Sequence, residues 1–395
     1  MSFNIAMTGL SAVNEQLNTI SHNIANAGTT GFKSSRTEFG SIYADSQAMG
    51  VEVMGTTQSI SQGGSLATTG RSLDLAISGG GFFVTRSNNG EVNYTRAGVF
   101  GADKDNAIVN AAGMRLQGYP VDAAGVLQVG ALGDLQLQSA NLPAKATDSL
   151  SFVMNLDSNQ QLPANANFDA ADVNSYNSTY TSKVFDSQGK EHTLTQYFVK
   201  TGANSWDVHY FADGADLNTA QALTFGTNGA LTGPVGAVNV GFAPAGVDAL
   251  NIAVDYSNSS QYGSDFVVTT NRPNGYAAGE QTGIAVEKDG MVYANYSNGQ
   301  RMLQGQVALA SFANAGGLKN ISGTAWQESA ESGQALIGVP GVGPFGELVA
   351  GSLENSNVDL TQQLVGLMEG QRNYQANTRV LSTNQELTQV LFSAL

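Results

Sequence analysis

Two stretches at opposite ends of the chain decide its fold: FNIAMTGLSAVNEQLNTISHNIANA at residues 3–27 and NVDLTQQLVGLMEGQRNYQANTRVLSTNQELTQVLF at residues 357–392. In the first, apolar residues recur at alternating spacings of three and four, which places them along one side of a helix. The second follows a looser stripe of the same kind. The stripes comprise Leu10, Val13, Leu17, Ile20 and Ile24 in the first stretch, and Leu360, Leu364, Leu367, Tyr374, Leu381 and Leu387 in the second. The pattern predicts two amphipathic terminal helices with coiled-coil-like seams that meet.

The remaining faces of these helices are unusual because they carry few charges. Asn, Gln, Ser and Thr dominate them, and Glu15 is the only acidic residue of the first stretch. A solvated helix is normally supported by charged side chains three or four residues apart, and a helix of such poor formers is marginal in water. We therefore expect the ends to fold when neighbouring copies pack against them.

Composition excludes several classes of protein. The 395 residues carry a formal net charge of -15 with only 12% charged residues, which argues against binding to nucleic acid or anionic membranes. No cysteine is present, so disulfides and cysteine-bound zinc are excluded. No apolar run approaches the roughly 18–20 residues of a membrane span, so membrane insertion is not expected, and no Sec-type signal is recognisable. The chain is expected to be cytosolic or exported without a cleaved Sec signal.

The interior of the chain has the alternating pattern of β-strands. Residues 193–199 alternate like a strand, and Asn88-Asn89-Gly90 and Asp289-Gly290 are hairpin turn signals. The sequence predicts a multidomain fold: a terminal helical coiled-coil domain (residues 1–28 and 357–395), an extended linker arm with short strands (29–70), a first β-rich domain (71–144 and 283–356) and an inserted all-β domain, barrel or sandwich (145–282).

The sequence predicts no catalytic site, no cofactor-binding site and no metal site. Residues 341–346 fit G-x-G-x-x-G, but Pro340 precedes the segment, Pro344 lies within it and no buried parallel strand comes before it, so a structural loop is expected. Asp103 and Asp105 lack the Gly and the distal Glu of a calcium loop, so a turn is expected. His192 and His209 lack further metal ligands at suitable spacing.

Short motifs resemble the bacterial flagellar rod and hook protein family. They cover about half of the chain in three ordered sets, at residues 8–33, at residues 65–83 with continuations at 94–98 and 116–119, and at residues 351–360 with 371–377. His22 is a mild departure from the family pattern. The motif residues singled out are Asn23, Asn26, Gly31, Phe32, Asn357, Asp359, Gln371, Arg372 and Tyr374.

Within that family, a chain of this length with one inserted β-domain resembles the hook proteins. The resemblance implies a non-enzymatic subunit that polymerises outside the cell into a curved, flexible tube between rod and filament. It implies contacts with copies of itself, the distal rod protein, the hook-filament junction protein, the hook cap, the hook-length control protein and the flagellar type III export apparatus. Phe39 and Tyr43, four residues apart, loosely resemble an export-gate recognition segment; a packing role is the alternative.

Two other interpretations stay open at this point. A distal rod or hook-filament junction protein has similar ends but a different expected length. An exported β-rich enzyme or adhesin would need a cluster of acids, bases or metal ligands, for which Asp207 and His209 in the inserted domain are the nearest candidates.

Overall fold

The computed structural model describes residues 2–44, 47–122, 125–138, 140–321 and 324–393. The chain divides into two compact units. Unit 1 comprises Met1–Ser139, Gly283–Asn295 and Arg301–Leu395, and unit 2 comprises Ala140–Thr282 and Tyr296–Gln300. The predicted fold class is confirmed, since two terminal helices accompany β-rich units and unit 2 is inserted in the sequence of unit 1.

Helices α1 (Ser2–Ala25) and α2 (Leu360–Ser393) form from the two terminal stretches. Helix α1 ends in turns in which Asn26 N–H donates to His22 O at 3.2 Å, just before Gly28. Helix α2 begins after Asp359, whose Oδ1 accepts hydrogen bonds from the N–H groups of Thr361 and Gln362 at 2.9 and 3.2 Å. A carboxylate in this position caps otherwise unpaired amides and suits the positive end of the helix dipole.

The segment after α1 forms a long antiparallel hairpin of strands β1 (Ser35–Ala44) and β2 (Gln47–Gln58). The sequence predicted only an extended arm with short strands here. The strand register shifts between Glu38 and Phe39 and again between Ile42 and Tyr43. Each such bulge reverses which side chains share a face, and this interrupts the period-two pattern that would have predicted long strands.

In its described residues, unit 1 continues with eight short strands: β3 (Leu66–Thr68), β4 (Leu75–Ser78), β5 (Phe82–Arg86), β6 (Val92–Thr95), β7 (Phe100–Ala102), β8 (Ile108–Asn110), β9 (Arg115–Pro120) and β10 (Gly133–Asp134). The predicted turn at residues 88–90 joins β5 to β6, and Gly90 adopts φ of 89°, which glycine tolerates without strain.

Unit 2 contains ten strands within the described residues: β11 (Ser149–Asp157), β12 (Ser178–Phe185), β13 (Glu191–Gly202), β14 (Ser205–Ala212), β15 (Ala215–Phe225), β16 (Leu231–Gly233), β17 (Val238–Phe242), β18 (Leu250–Asp255), β19 (Ser260–Tyr262) and β20 (Val267–Pro273). Strands β12 to β16 form a meander, and β11 lies in a second sheet with β17, β18, β19 and β20. Apolar side chains of both sheets form a single buried cluster, so unit 2 is a β-sandwich.

The chain then returns to unit 1 through β21 (Gln281–Val286), β22 (Met291–Tyr296), β23 (Arg301–Val307), β24 (Leu309–Ser311), a 3₁₀ turn (Ala315–Gly317), β25 (Lys319–Asn320), β26 (Ala325–Gln327), β27 (Leu336–Gly338), β28 (Glu347–Ala350) and β29 (Ser352–Glu354). These strands extend the sheet of β5, β6 and β9, while β28 pairs with β4 and β29 with β3. We call the strands of unit 1 other than β1 and β2 the β body. Both chain ends leave this body at neighbouring positions.

Candidate assembly surface

The two terminal helices pack against each other in antiparallel orientation. Residues near the start of α1 lie beside the C-terminal half of α2, and residues near the end of α1 lie beside the start of α2. Four neighbouring pairs define this register: Gly9 with Asn377, Leu17 with Gly370, Ile20 with Gly366, and Asn23 with Gln363. The chain ends therefore pair within one subunit.

Two glycines bring α2 close to α1. A Cβ atom added at Gly370 would lie 2.7 Å from Leu17 Cδ2, and one added at Gly366 would lie 3.3 Å from Ile20 Cδ1. Small residues at an interface let helix backbones approach closely. The face that α2 turns toward α1 is therefore formed by small and amide side chains rather than by its leucines.

The stripe predicted on α1 lies on its inner side. Val13 and Ile20 are buried, and Leu10, Leu17 and Ile24 are half-buried. Part of this side also contacts the β1–β2 hairpin, because the hydroxyl groups of Thr19 and Thr37 lie 2.8 Å apart. The role of these residues in polymer contacts stays a prediction.

The stripe predicted on α2 is mostly turned away from α1. Leu360, Leu364, Tyr374 and Leu387 are exposed, whereas Leu367 and Leu381 are half-buried. Further exposed apolar side chains accompany them on the same helix, namely Val365, Met368, Val380 and Val390. A helix that exposes this many apolar side chains presents the kind of surface that protein–protein contacts cover.

The hairpin adds an open groove to this surface. Val13, Phe39, Val51 and Ala376 are among its lining residues, and its volume is about 380 Å³. Phe39 and Tyr43, the predicted export residues, are both exposed on β1. The exposed Phe39 side chain is therefore accessible both to a packing neighbour and to the export apparatus. Its export role stays a prediction.

A buried ion cluster of Lys33, Arg96 and Glu354 lies where the terminal segments leave the β body. Lys33 Nζ donates to Glu354 Oε1 at 2.6 Å, and Arg96 Nη1 donates to Glu354 Oε2 at 3.2 Å. The side chains of Lys33, Arg96 and Glu354 are 0%, 4% and 1% exposed. One carboxylate therefore compensates two cations that solvent does not reach.

Burial disfavours the charged forms of both cations. Desolvation lowers the pKa of Lys33 below its ordinary value of 10.5, although the hydrogen bond and charge of Glu354 oppose this shift. Desolvation likewise lowers the pKa of Arg96, again against the attraction of Glu354. Arg96 is also held by a hydrogen bond from Nη2 to Gly79 O at 2.9 Å and packs over the Phe82 ring.

Two asparagines of the family motifs tie the neighbouring backbone together. Asn23 Nδ2 donates to Ser35 O at 2.7 Å, and its Oδ1 accepts from Ser35 N–H at 2.9 Å. Asn357 Oδ1 accepts from Ser34 N–H at 2.7 Å, while its Nδ2 donates to the carbonyls of Ser59 and Gln62 at 3.0 Å each. Each amide satisfies backbone groups that neither helix nor sheet would pair.

The other motif residues occupy the turn after α1 or the surface of α2. Gly31 adopts φ of 70°, and a Cβ there would lie 2.5 Å from Ala97 N. Phe32 is buried and packs edge-on against His22 at 5.4 Å. Asn26 Nδ2 donates to His22 O at 2.9 Å and its Oδ1 accepts from Thr29. Gln371, Arg372 and Tyr374 are exposed on α2.

The sequence reasoning did not single out Lys33, Arg96 and Glu354, although each lies inside a different quoted motif. A usable signal was present. Charged residues are scarce in this chain, and these three follow or precede apolar residues or glycines. Charged side chains are almost never fully buried unless they are paired, so a charge in such a context is a candidate for a buried ion pair.

The motifs considered for chemistry have structural roles. Gly341 N–H donates to Gly346 O at 3.0 Å, and strand β28 rather than a helix follows. Asp103 Oδ1 accepts hydrogen bonds from the N–H groups of Asp105 and Ala107, which closes a turn. Within the described part of the chain, no three His, Asp or Glu side chains come together in a way that could hold a metal ion.

The two histidines of unit 2 are packed into its sheets. His192 Nδ1 lies 2.6 Å from Asp213 Oδ2, and its Nε2 lies 3.2 Å from Asp186 Oδ2. The His192 side chain is only 4% exposed, so a substrate could not reach this imidazole. His209 stacks on Phe168 with ring centroids 4.0 Å apart.

Four family models match successive parts of the chain. They are described as flagella basal body rod protein (residues 3–33), flagellar hook protein FlgE/F/G D1 domain (76–155), flagellar basal body protein FlaE D2 domain (155–276) and flagellar basal body rod FlgEFG protein C-terminal (349–393). The flagellar hook protein FlgE of Escherichia coli strain K12 is 39% identical over 401 residues, which cover 99% of each chain. The chain belongs to the flagellar hook protein family.

Other comparisons agree with this membership. The FlgE hook protein of Brucella suis biovar 1 is 35% identical over 399 residues, covering 98% of each chain. The crystal structure of the Helicobacter pylori flagellar hook protein FlgE2 aligns with a TM-score of 0.57 at 14% identity, over 73% of this chain and all of that one, which shows a shared fold. Members of this family are structural components of the flagellum, assemble as homopolymers and are located in the extracellular hook. No described helix combines the length and apolar character that crossing a bilayer requires.

Proposed function

We propose that the chain is a structural subunit of the bacterial flagellar hook. Copies self-assemble into a curved, flexible tube that couples the rod to the filament as a universal joint for motility. The observation that carries this proposal is the α1–α2 pair. Glycines and amide side chains of α2 form the contact with α1. The apolar side chains of α2 point away from α1 and are not covered by other described residues of the subunit. Neighbouring copies supply the covering layer.

The domain order suits three concentric layers. In the proposed tube, residues 1–28 and 357–395 form the inner layer, with residues 29–70 as the arm that fills the space between neighbours. Residues 71–144 and 283–356 form the middle layer, and residues 145–282 form the outer layer. Weakly charged, polar inner faces suit a channel through which other chains pass without binding.

Bending of the tube requires contacts of unequal strength. A fully buried leucine contributes about 1.5–3 kcal/mol, so apolar helix contacts hold the inner layer together. Outer-layer contacts between polar surfaces are individually weak and can slide. This difference allows the tube to curve while its inner layer stays continuous.

The partners follow from the position of a hook. They are further copies of the chain, the distal rod protein, the hook-filament junction protein, the hook cap, the hook-length control protein and the flagellar type III export apparatus, through which the chain would leave the cell. A hook subunit is favoured over a distal rod or junction protein because the chain and the Escherichia coli hook protein cover 99% of one another. The role is non-enzymatic, in keeping with the structural use of its histidines.

Electron microscopy of the purified chain tests this function. Short curved tubes are the expected product, whereas straight rods or discrete globular particles would contradict it. Limited proteolysis of the same samples is a second test. We expect cleavage within residues 1–28 and 357–395 of the monomer and protection of both segments in tubes, because the helices are completed by neighbours. Equal protection in both states would overturn folding on assembly.

A further inference from the structure

The buried ion cluster joins segments that are far apart in sequence. Lys33 precedes the hairpin, and its Nζ also donates to Gln62 O at 2.7 Å, beyond the end of the hairpin. Gly64 N–H donates to Glu354 Oε1 at 3.0 Å. Glu354 ends β29, six residues before α2. Its carboxylate therefore contacts the entry to the hairpin, the exit from it and the path to the C-terminal helix.

The charges of the cluster make these contacts interdependent. Two buried cations face a single carboxylate, and Arg96 Nε has no hydrogen-bond partner among the described residues. A buried charge that loses its partner is strongly unfavourable, and hydration of the segment relieves it. Without the Glu354 carboxylate, a charged Lys33 would lie buried beside Arg96 with no counter-charge from this cluster.

A second tie reinforces the same segments. The Asn357 amide bonds Ser34, Ser59 and Gln62, as described above, and Ile60 between the last two is buried against Trp326 and other apolar side chains of the β body. The base of the hairpin is thus held to the β body by one ion cluster, one amide and one apolar anchor.

We propose that Glu354 is a positioning residue for assembly. It fixes the points at which both terminal helices leave the β body, so the helices start from defined positions before copies associate. Fewer degrees of freedom are then lost when copies associate, which is the usual benefit of preorganisation. The inference rests on the proposed hook function for its consequence in assembly, but its effect on the free subunit is independent of it.

The test compares Glu354→Gln with Glu287→Gln in the full chain. Glu287 belongs to an exposed ion pair with Arg301 in the same unit, so its variant controls for loss of a carboxylate. In the monomer, Glu354→Gln should accelerate hydrogen exchange at the amides of Ser34, Ser59 and Gly64 and leave strands β4 and β5 unchanged. The concentration needed for tube formation should rise at least about tenfold, whereas Glu287→Gln should match the wild type.

A double variant separates charge balance from packing. Glu354→Gln combined with Lys33→Met removes one cation together with the carboxylate, so exchange at Ser59 should be slower than in Glu354→Gln alone. A role in packing alone predicts that the second substitution adds damage, and that result would overturn the proposal. Unchanged exchange in Glu354→Gln would also overturn it.

If Glu354→Gln gives no folded protein, Lys33→Met carries the test, because Arg96 keeps its carboxylate. In that variant the β body should stay folded while exchange at Ser59 and Gly64 accelerates, and unchanged exchange overturns the proposal. If the wild type forms no tubes, the proposed hook function fails, while hydrogen exchange of the monomer still decides the role of Glu354.

Discussion

The core of unit 2 and the helix pair of unit 1 bury their apolar side chains to very different degrees. In unit 2, Phe152, Trp206 and Val254 are fully buried between two sheets of the same chain. In the helix pair, Leu364 and Leu387 are exposed on α2, and glycines form the face toward α1. The sandwich buries its apolar core within one subunit, whereas the helix pair leaves apolar side chains of α2 exposed.

This difference separates two sources of stability. A sandwich with its own buried core keeps its free energy of unfolding when the subunit is alone. A pair of amphipathic helices with one exposed apolar face depends on what covers that face, because isolated helices of this composition are marginal. Substitutions in unit 2 should therefore act on the monomer, and substitutions in the helix pair should act on the polymer.

Trp206→Ala should give the largest effect on the monomer. The indole is fully buried, and its Nε1 donates to Gln261 Oε1 at 2.9 Å. Removal of such a side chain leaves a cavity and costs about 3–5 kcal/mol. Urea unfolding, monitored by hydrogen exchange in β13 and β14, measures the loss of stability in unit 2.

Val235→Ala is the matched control, since Val235 lies in the same unit and is 98% exposed. It should leave the urea midpoint unchanged. Tubes should still form from Trp206→Ala where unit 2 remains folded. An equal loss of stability in strands of unit 1 would show that the two cores do not unfold independently.

Leu17→Asp should abolish tube formation while both β units stay folded. The half-buried Leu17 side chain lies against Gly370, and the substitution replaces an apolar contact with the cost of desolvating a carboxylate. Leu381→Asp on α2 should act in the same way. Electron microscopy scores the tubes, and circular dichroism confirms the strands.

Asn14→Asp adds the same charge to an exposed position of α1 and should disturb assembly less. Normal tubes from Leu17→Asp would contradict a seam at this position. An equal loss from Asn14→Asp would show that neighbours contact both sides of α1.

Gly370→Val should weaken the helix pair to a smaller extent. A Cβ at this position would lie 2.7 Å from Leu17 Cδ2, so the helices must separate or Leu17 must move, at a cost of about 1–3 kcal/mol. Sedimentation should show that tubes require a higher subunit concentration. Ser382→Val, at an exposed position of α2, introduces the same side chain away from α1 and should have little effect. Because valine is a better helix former than glycine, a loss from Gly370→Val would not arise from helix propensity.

Much of the fold could be predicted from the sequence because it depends on local patterns. The terminal stripes predicted both helices, and the strand-like alternation in residues 193–199 predicted a strand of unit 2. The pairing face of α2 could not be predicted, because leucines suggest a seam while the contact is made by Gly366 and Gly370. The neighbours of a helix decide which of its apolar faces is covered, and the apolar stripe of a sequence does not identify those neighbours.

The buried ion cluster illustrates a second limit. Lys33, Arg96 and Glu354 were each visible inside a motif, but nothing in three separate segments states that they meet. Long-range pairing of β3 with β29 and of β4 with β28 brings them together. Sequence reasoning could predict that each charge was exceptional, but it could not predict the charge balance of the cluster.

The smallest expected effect is a pH dependence within the self-contained unit 2. Burial lowers the pKa of His192, but hydrogen bonds with Asp213 and Asp186 outweigh it, so the pKa is raised above the ordinary value of 6.5. From the other sheet, Phe242 presents its ring to the imidazole at 5.8 Å. Stability from the protonated imidazole is therefore fully present below the unfolded value and is lost as pH rises through the raised pKa.

Comparison of the wild type with His192→Gln measures this contribution. The difference in unfolding midpoint of unit 2 should be largest near pH 6 and should shrink toward pH 9. His209→Gln is a control of opposite sign, because burial lowers the pKa of His209. The stability that the neutral His209 imidazole contributes is therefore lost as pH falls below 6.5. A difference for His192→Gln that stays constant between pH 6 and 9 would show that the imidazole acts through packing, and the sandwich would then hold no titrating contact at this end.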